Sequence, residues 1–340
     1  MANRETYIPA PSVKMPGRSA AHRPPAFDRV ATKVSPAASV KRFFVKYKAL
    51  HILVLPGLAC LLIFNYLPMV GLLIAFNDYS GMGGILGMIT APWVGLKNFI
   101  ELFQSMYFWR LLQNTIILSS LRLLFGFPAP IILAILLNEV RLRRFQRVVQ
   151  TVSYLPHFLS WVVISGLASM LLGSEGPVNT ALGQLFGTRP IAFLSDARYF
   201  RGVLVSSGVW QSMGWNSIIF FAAISSVPQE HYEVAVVEGA SRWQRVRHVT
   251  LPWLSMIIVI LLVLNIGQII NEDFEQIFNL YNPAVYNVAD VFETYVYRRG
   301  LQDRSFSYAS AVGLFKSVVS FVMVLGANRV AKALRQEGLW

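Results

Sequence analysis

Six long apolar runs constrain the fold of this chain more than any other feature of its sequence. Each run has close to the ~20 residues that an α-helix needs to cross ~30 Å of hydrocarbon. They predict an all-α, polytopic membrane protein with six transmembrane helices. The runs lie at about 51–76, 111–137, 148–172, 203–227, 254–271 and 309–330.

The composition supports a membrane location. Of the 340 residues, 55% are hydrophobic and only 14% are charged, whereas soluble proteins carry about a quarter charged residues. The first apolar run is too long for a signal peptide, and no small-residue cleavage site follows it. Residues 1–40 are rich in Pro, Ala, Ser and basic residues, which predicts a disordered cytoplasmic tail ahead of a membrane domain at 41–340.

The distribution of basic residues predicts the orientation in the membrane. Twenty Lys and Arg lie in the two tails and in the loops 138–147 and 228–253, against eight in the remaining loops. Because cytoplasmic loops are enriched in Lys and Arg, both termini and the loop at 228–252 are predicted to be cytoplasmic. The net charge of +13 does not indicate nucleic-acid binding, since the basic residues are not clustered in a soluble domain.

The polar loop at 228–252 has the pattern of two short helices joined by a bend. Ser226 and Gln229 have the spacing of a capping box, and Ser241 and Gln244 repeat it. Gly239, between the two predicted helices, can adopt the positive φ that ends one helix and redirects the chain. A plain amphipathic loop on the lipid surface is the alternative interpretation of this periodicity.

The same loop carries a motif. Glu233-x-Ala235-x-x-Glu238-Gly239-Ala240, followed by Leu251-Pro252, resembles the "EAA" loop of binding-protein-dependent ABC importers. Val234 replaces the usual first alanine, and Glu238 stands where aspartate is usual. The resemblance implies that this loop is a coupling helix that docks into a cytoplasmic ATPase subunit. The residues it assigns to this docking are Glu233, Ala235, Glu238, Gly239 and Ala240.

The wider resemblance is to the LplB-like carbohydrate permeases, and it covers about residues 41–340. Permease subunits of alginate importers are especially similar. The resemblance implies a MetI-like permease fold in the inner membrane. It also implies a second permease subunit in a heterodimer, two ATPase subunits that hold ATP and Mg, an extracytoplasmic solute-binding protein and an oligo- or polysaccharide substrate. The matching stretches are Asn65–Met69, Pro92–Gly95, Leu137–Glu139, Tyr154–Phe158, Ser160–Val163, Ala311–Ser317 and Gly338–Trp340.

An ion-coupled secondary transporter of a small solute is the alternative function. The chain contains no Gly-Lys pair and therefore no P-loop, so its energy must come from another subunit or from an ion gradient. Carriers need ionisable groups within their spans, and only Arg122 and Lys316 lie there. We expect Arg122 to pair with a backbone carbonyl or a polar neighbour, and Lys316 to extend towards the membrane surface.

Enzymatic activity is not predicted. The five histidines lack metal-ligand spacing, the single Cys60 lies in an apolar run, and no nucleophile–base pattern is visible. We therefore expect no catalytic residue, no metal and no cofactor in this chain.

Saccharide recognition requires aromatic faces beside hydrogen-bonding side chains along a water-filled path. Such side chains occur near the middle of the fourth run and around the end of the fifth, where three amides recur at spacings of three. These amides could instead bond between helices in lipid. The resemblance adds that Asn271 and Phe274 match the position of pathway residues. The predicted pathway residues are Trp215, Asn216, Asn265, Gln268, Asn271 and Phe274.

Overall fold

A computed structural model describes residues 47–268 and 274–333. Within these ranges the regular structure is helical, apart from one isolated bridge between Asn77 and Trp93. The predicted disordered tail and the motif at 338–340 lie outside the described residues. The α-helices are α1 (Lys48–Leu61), α2 (Gly84–Thr90), α3 (Lys97–Gln104), α4 (Phe108–Gly126), α5 (Pro128–Glu139), α6 (Arg143–Tyr154), α7 (Trp161–Leu172), α8 (Pro177–Phe186), α9 (Ala197–Ser225), α10 (Gln229–Val237), α11 (Arg242–Arg245), α12 (Leu251–Gly267), α13 (Phe274–Leu280), α14 (Tyr286–Ala289), α15 (Phe292–Tyr297) and α16 (Phe306–Ala333).

Shorter helical turns of other types connect several of these helices. They are 3-10 turns at Leu67–Phe76, Leu155–Phe158 and Pro283–Val285, and π turns at Leu62–Tyr66, Val246–Thr250 and Arg298–Gln302. The chain divides into two units after Leu62. In the first unit the described residues form α1, an apolar helix whose large side chains are exposed. The second unit begins at Ile63 and contains all the other helices.

Five helical segments of the described residues are long and apolar enough to span a membrane. Helix α9 has 29 residues and matches the run predicted at 203–227, but it is not among these five segments. Serine, glutamine and asparagine side chains recur along α9 and make it less apolar. The prediction of six spans is therefore confirmed only as a polytopic fold with five candidates. The five are Ile52–Phe76, Phe108–Glu139, Trp161–Phe186, Arg242–Gly267 and Phe306–Ala333.

The run at 148–172 is not one continuous helix, and that prediction is wrong. Helix α6 ends at Tyr154, a 3-10 turn follows at Leu155–Phe158, and α7 begins only at Trp161. Pro156 is the physical cause, because it has no backbone N–H and so interrupts the hydrogen bonds of the helix. Ser160 then caps α7 by accepting a hydrogen bond from the backbone N–H of Val163 at 3.4 Å.

Helix α9 is the common packing partner of the second unit. Phe200 and Leu204 near its start pack with Leu118 of α4 and Ile277 of α13. Near its other end it packs against α5 and α12. In between, Gly214 lets α6 approach closely, since a Cβ at this position would lie 1.9 Å from the backbone oxygen of Ser153. Of the polar side chains of α9, Ser217 is buried and Gln211 is half-buried, whereas Asn216 is exposed.

Candidate functional site

The segment 226–253, which we call the coupling segment, begins with α10 and a sharp bend. Gly239 has φ of +78°, and its N–H donates to the backbone oxygen of Val236 at 3.0 Å. The N–H of Ala240 donates to the backbone oxygen of Ala235 at 2.9 Å. This pair of hydrogen bonds is a Schellman motif, in which a left-handed glycine ends the helix. The predicted bend at Gly239 is confirmed.

The second helix of the coupling segment begins as predicted, but it does not end before the following span. The Gln244 side chain accepts from the N–H of Ser241 at 2.7 Å, and the Ser241 hydroxyl accepts from the N–H of Gln244 at 3.4 Å. This capping box is confirmed. The helix continues through a π turn at Val246–Thr250 into α12, with Pro252 at its start. Pro252 has no backbone N–H and cannot donate the regular α-helical hydrogen bond. The π turn lies directly before it, where that hydrogen bond is missing.

The capping box predicted at Ser226 and Gln229 is wrong. Helix α10 is preceded by Pro228 and has no side-chain cap. The Ser226 hydroxyl instead donates to the backbone oxygen of Ala223 at 2.7 Å, and it accepts a hydrogen bond from Nε1 of Trp253 at 3.3 Å. The side chain is therefore used to connect the end of α9 to the start of α12.

The coupling segment is exposed on one side and bonded to the bundle on the other. The hydroxyls of Tyr232 and Thr250 lie 2.9 Å apart, so α10 is fixed to the base of the following span. On the other side Glu233 and Glu238 are exposed, and Val237 is 88% exposed. The remaining predicted docking residues are also accessible, with Gly239 exposed and Ala235 and Ala240 half-buried.

A cavity of about 580 Å³ lies among α4, α5, α9 and α12. Three predicted pathway residues line it together, namely Asn216, Asn265 and Gln268. The amide nitrogen of Asn265 donates to the backbone oxygen of Leu261 at 2.8 Å, which leaves its carbonyl oxygen as an acceptor. His157 also lines the cavity, and its Nδ1 has no hydrogen-bond partner among the residues that the structure describes.

The other predicted pathway residues are not in this cavity. Trp215 stacks on the His157 ring with centroids 4.7 Å apart and planes within 6°. Phe274 lines a separate cavity of about 440 Å³ beside α15 and α16. Asn271 lies outside the described residues. The sequence spacing placed Asn265 and Gln268 on one face, but the two rings could be located only from the packing of distant helices.

Arg122 lines the main cavity and binds a buried amide, which confirms the prediction of a polar neighbour. Its Nη2 donates to Oε1 of Gln276 at 2.5 Å. Gln276 is fully buried, and its Nε2 donates to the backbone oxygen of Leu204 and to the Ser207 hydroxyl at 2.7 and 2.9 Å. Nothing in the local sequence around Gln276 signals this role, since its partners lie on other helices.

Lys316 does not extend towards the membrane surface, so that prediction is wrong. The residue is only 5% exposed, and its Nζ forms an ion pair with Oε1 of Glu293. Since Glu293 lies on α15, between the last two candidate spans, the partner could not be found by searching the spans for carboxylates. The pairing satisfies an ammonium group that would be costly to bury alone.

A buried carboxylate, Asp290, was missed by the sequence analysis. It is fully buried and accepts from Nη2 of Arg298 at 2.6 Å and from the hydroxyl of Thr294 at 2.8 Å. Burial by itself would lower the pKa of Arg298, but the hydrogen bond and charge of Asp290 raise it above its ordinary value. The amide of Asn114 donates to the backbone oxygen of Asp290 at 3.0 Å, which connects this cluster to α4.

The comparisons with known proteins agree with these features. Residues 126–336 match the model of the family "Binding-protein-dependent transport system inner membrane component". The chain is 46% identical over 294 residues to Protein LplB of Bacillus subtilis strain 168, covering 86% of this chain and 91% of that protein. It is 42% identical over 323 residues to the polygalacturonan/rhamnogalacturonan transport system permease protein YteP of the same strain, covering 95% and 100%.

A solved structure is similar as well. The crystal structure of a bacterial alginate ABC transporter, in complex with an alginate pentasaccharide-bound periplasmic protein, contains a chain that is 40% identical. The match has a TM-score of 0.80 and covers 88% of this chain and 99% of that chain.

The chain belongs to the binding-protein-dependent transport system inner membrane components. It is a multi-pass permease of an ABC importer, a transport component without catalytic residues or a cofactor of its own. This membership replaces the alternative of an ion-coupled secondary transporter. Among the described residues, no group of three or more His, Cys, Asp or Glu side chains could hold a metal ion.

Proposed function

We propose that this permease imports an acidic oligo- or polysaccharide that a solute-binding protein delivers. Two similar proteins support the substrate class, because one is named for polygalacturonan and rhamnogalacturonan and the other was crystallised as an alginate transporter. Polygalacturonan, rhamnogalacturonan and alginate all contain uronic acids. The cavity around Asn216, Asn265 and Gln268 has the size and the convergent polar groups of a ligand site.

The coupling segment is the observation that carries the mechanism. An ATPase subunit would bind the exposed, bent pair of helices, where the most exposed hydrophobic side chain is Val237. Force applied to α10 would pass to the spans through the Tyr232–Thr250 hydrogen bond and the Trp253–Ser226 hydrogen bond. Binding energy that differs between two conformations is what would shift the spans between inward-facing and outward-facing states.

The assembly would contain this chain, a second permease subunit and two ATPase subunits that bind ATP and Mg. With α9 as a sixth span, both termini and the coupling segment lie on the cytoplasmic side. The count of Lys and Arg in the loops supports this orientation. The solute-binding protein would then dock at the opposite side, where the segment 274–305 connects α12 to α16.

The test is reconstitution of the full complex in liposomes with oligouronate supplied on the binding protein. We expect binding-protein-dependent ATP hydrolysis together with uptake of the labelled saccharide. Glu233→Lys should reduce both to background, because it reverses an exposed charge at the docking face. Glu175→Lys is the matched control, since Glu175 is also exposed but lies outside the coupling segment, in the turn between α7 and α8, and should have no effect.

Two results would contradict the proposal. Uptake by the permease in the absence of the ATPase subunits would remove the coupling role. Normal uptake by the Glu233→Lys complex would show that docking does not depend on this face. For the cavity, Asn216→Leu should weaken uptake without loss of protein from the membrane, and unchanged uptake would move the substrate path elsewhere.

A further inference from the structure

One face of α13 carries aromatic residues where a surface helix would carry polar ones. Phe274 and Phe278 follow at i and i+4, so they share one side of the helix, and Tyr281 comes directly after its end. The opposite side carries Ile277 and Leu280, which are buried in the core. The segment 274–305 lies outside the five candidate spans.

These rings belong to a continuous series, which we call the aromatic row: Phe274, Phe278, Tyr281, Tyr286 and Tyr297. The Phe278 centroid lies 5.0 Å from Phe274, 6.0 Å from Tyr281 and 4.9 Å from Tyr297. The Tyr281 and Tyr286 centroids are 4.9 Å apart. All five side chains are only half-buried, so each ring keeps accessible surface.

The aromatic row begins at the second cavity, of about 440 Å³. Phe274, Tyr297 and Phe306 wall this cavity, and Glu293 supplies a carboxylate to it. The Glu293 side chain is 29% exposed, whereas Lys316, its ionic partner, is almost fully buried behind it. The carboxylate is therefore held in place from one side and can accept hydrogen bonds from a ligand on the other.

The row is also close to the main cavity. Gln276 projects from the buried side of α13 and accepts the hydrogen bond of Arg122, which lines that cavity. A single helix thus separates the aromatic row from the main cavity. A chain-like ligand bound along the row would lie next to the space that contains Asn216 and Asn265.

We propose that the aromatic row binds successive sugar rings of a saccharide chain before they enter the main cavity. A pyranose has an apolar C–H face that packs on the electron-rich face of an aromatic ring, and hydroxyls at its edge that can bond to Glu293. This site rests on the proposed function, since it takes the same substrate class.

The test measures uptake by the reconstituted complex as a function of saccharide concentration and length. Phe278→Leu and Tyr281→Leu should each raise the KM for a pentasaccharide about fivefold, with little change in the maximal rate. The increase should be smaller for a disaccharide, which covers fewer rings. Tyr281→Phe retains the ring and should behave like the unmodified protein.

Phe193→Leu is the matched control, because Phe193 is a half-buried residue outside the row. Its ring also packs against another aromatic ring, with its centroid 5.6 Å from that of Tyr199. An equal effect of Phe193→Leu would overturn the proposal, as would a lower maximal rate at unchanged KM in the row variants. Unchanged kinetics in the row variants would overturn the aromatic row alone. Failure of the unmodified complex to import any saccharide would overturn the proposed function and the row together.

Discussion

The coupling segment and the segment 274–305 flank the same helix, α12, and they use charged residues in opposite ways. In the coupling segment Glu233, Glu238 and Arg242 are exposed, and none of them forms a salt bridge within the described residues. In contrast, every salt bridge of the described residues has at least one member between 290 and 303. The exposed charges of the coupling segment stay in water, whereas the charges of the segment 274–305 pair within the chain and join its helices.

The physical reason is the cost of removing a charge from water. An exposed carboxylate keeps its hydration until a partner replaces it, so it adds little to the stability of the isolated chain. A fully buried carboxylate such as Asp290 must have its partners built in, because an uncompensated buried charge is strongly destabilising. Changes in the segment 274–305 should therefore alter stability, and changes in the coupling segment should alter ATPase coupling.

The largest effect is expected for Asp290→Asn. Loss of the carboxylate leaves Arg298 without its charged partner and should destabilise the fold by about 3–5 kcal/mol. Thermal unfolding of the purified complex in lipid nanodiscs measures this change. Asp303→Asn is the control, since the Asp303–Arg299 pair is 45% and 35% exposed and should contribute at most about 1 kcal/mol. Equal losses of stability in the two variants would contradict the view that the buried ion pair stabilises the fold more than the exposed one.

Gly239→Pro should destabilise the coupling segment by an intermediate amount and abolish the coupling of ATP hydrolysis to transport. Proline requires φ near −65° and lacks the N–H that bonds to Val236, so the bend is lost at a cost of about 3 kcal/mol. We expect binding-protein-stimulated ATP hydrolysis to fall to its basal rate while thermal unfolding of the spans is unchanged. Gly187→Pro tests a similar bend, with φ of +64°, outside the coupling segment. Loss of stimulation in both variants would contradict the assignment.

The smallest effect is expected for Tyr232→Phe. The variant removes one hydrogen bond to Thr250, worth about 1 kcal/mol, and keeps the ring. Looser attachment of α10 should lower the amount of saccharide moved per ATP hydrolysed without reducing basal hydrolysis. Tyr199→Phe, on the exposed part of α9, serves as the control. An unchanged amount of saccharide transported per ATP hydrolysed in Tyr232→Phe would show that this hydrogen bond does not transmit force.

Local sequence patterns predicted the structure well where the interaction itself is local. The Ser241–Gln244 capping box and the bend at Gly239 involve residues at most a few positions apart. The pattern at Ser226 failed because α10 begins only after Pro228, and the Ser226 hydroxyl bonds instead to Ala223 and to Trp253, 27 residues away. Likewise, the break within 148–172 follows from Pro156, a signal that was present in the sequence and outweighed by apolar periodicity.

A helical membrane permease could be predicted from the sequence, because the length of an apolar run and the eight-residue motif at 233–240 are properties of contiguous residues. Which polar groups pair with each other is visible only in the folded chain. Lys316 and Glu293 are 23 positions apart, and Arg122 and Gln276 are 154 apart. Such pairs form because helix packing places both partners in a low-dielectric interior, where each needs the other, and no local pattern encodes that packing.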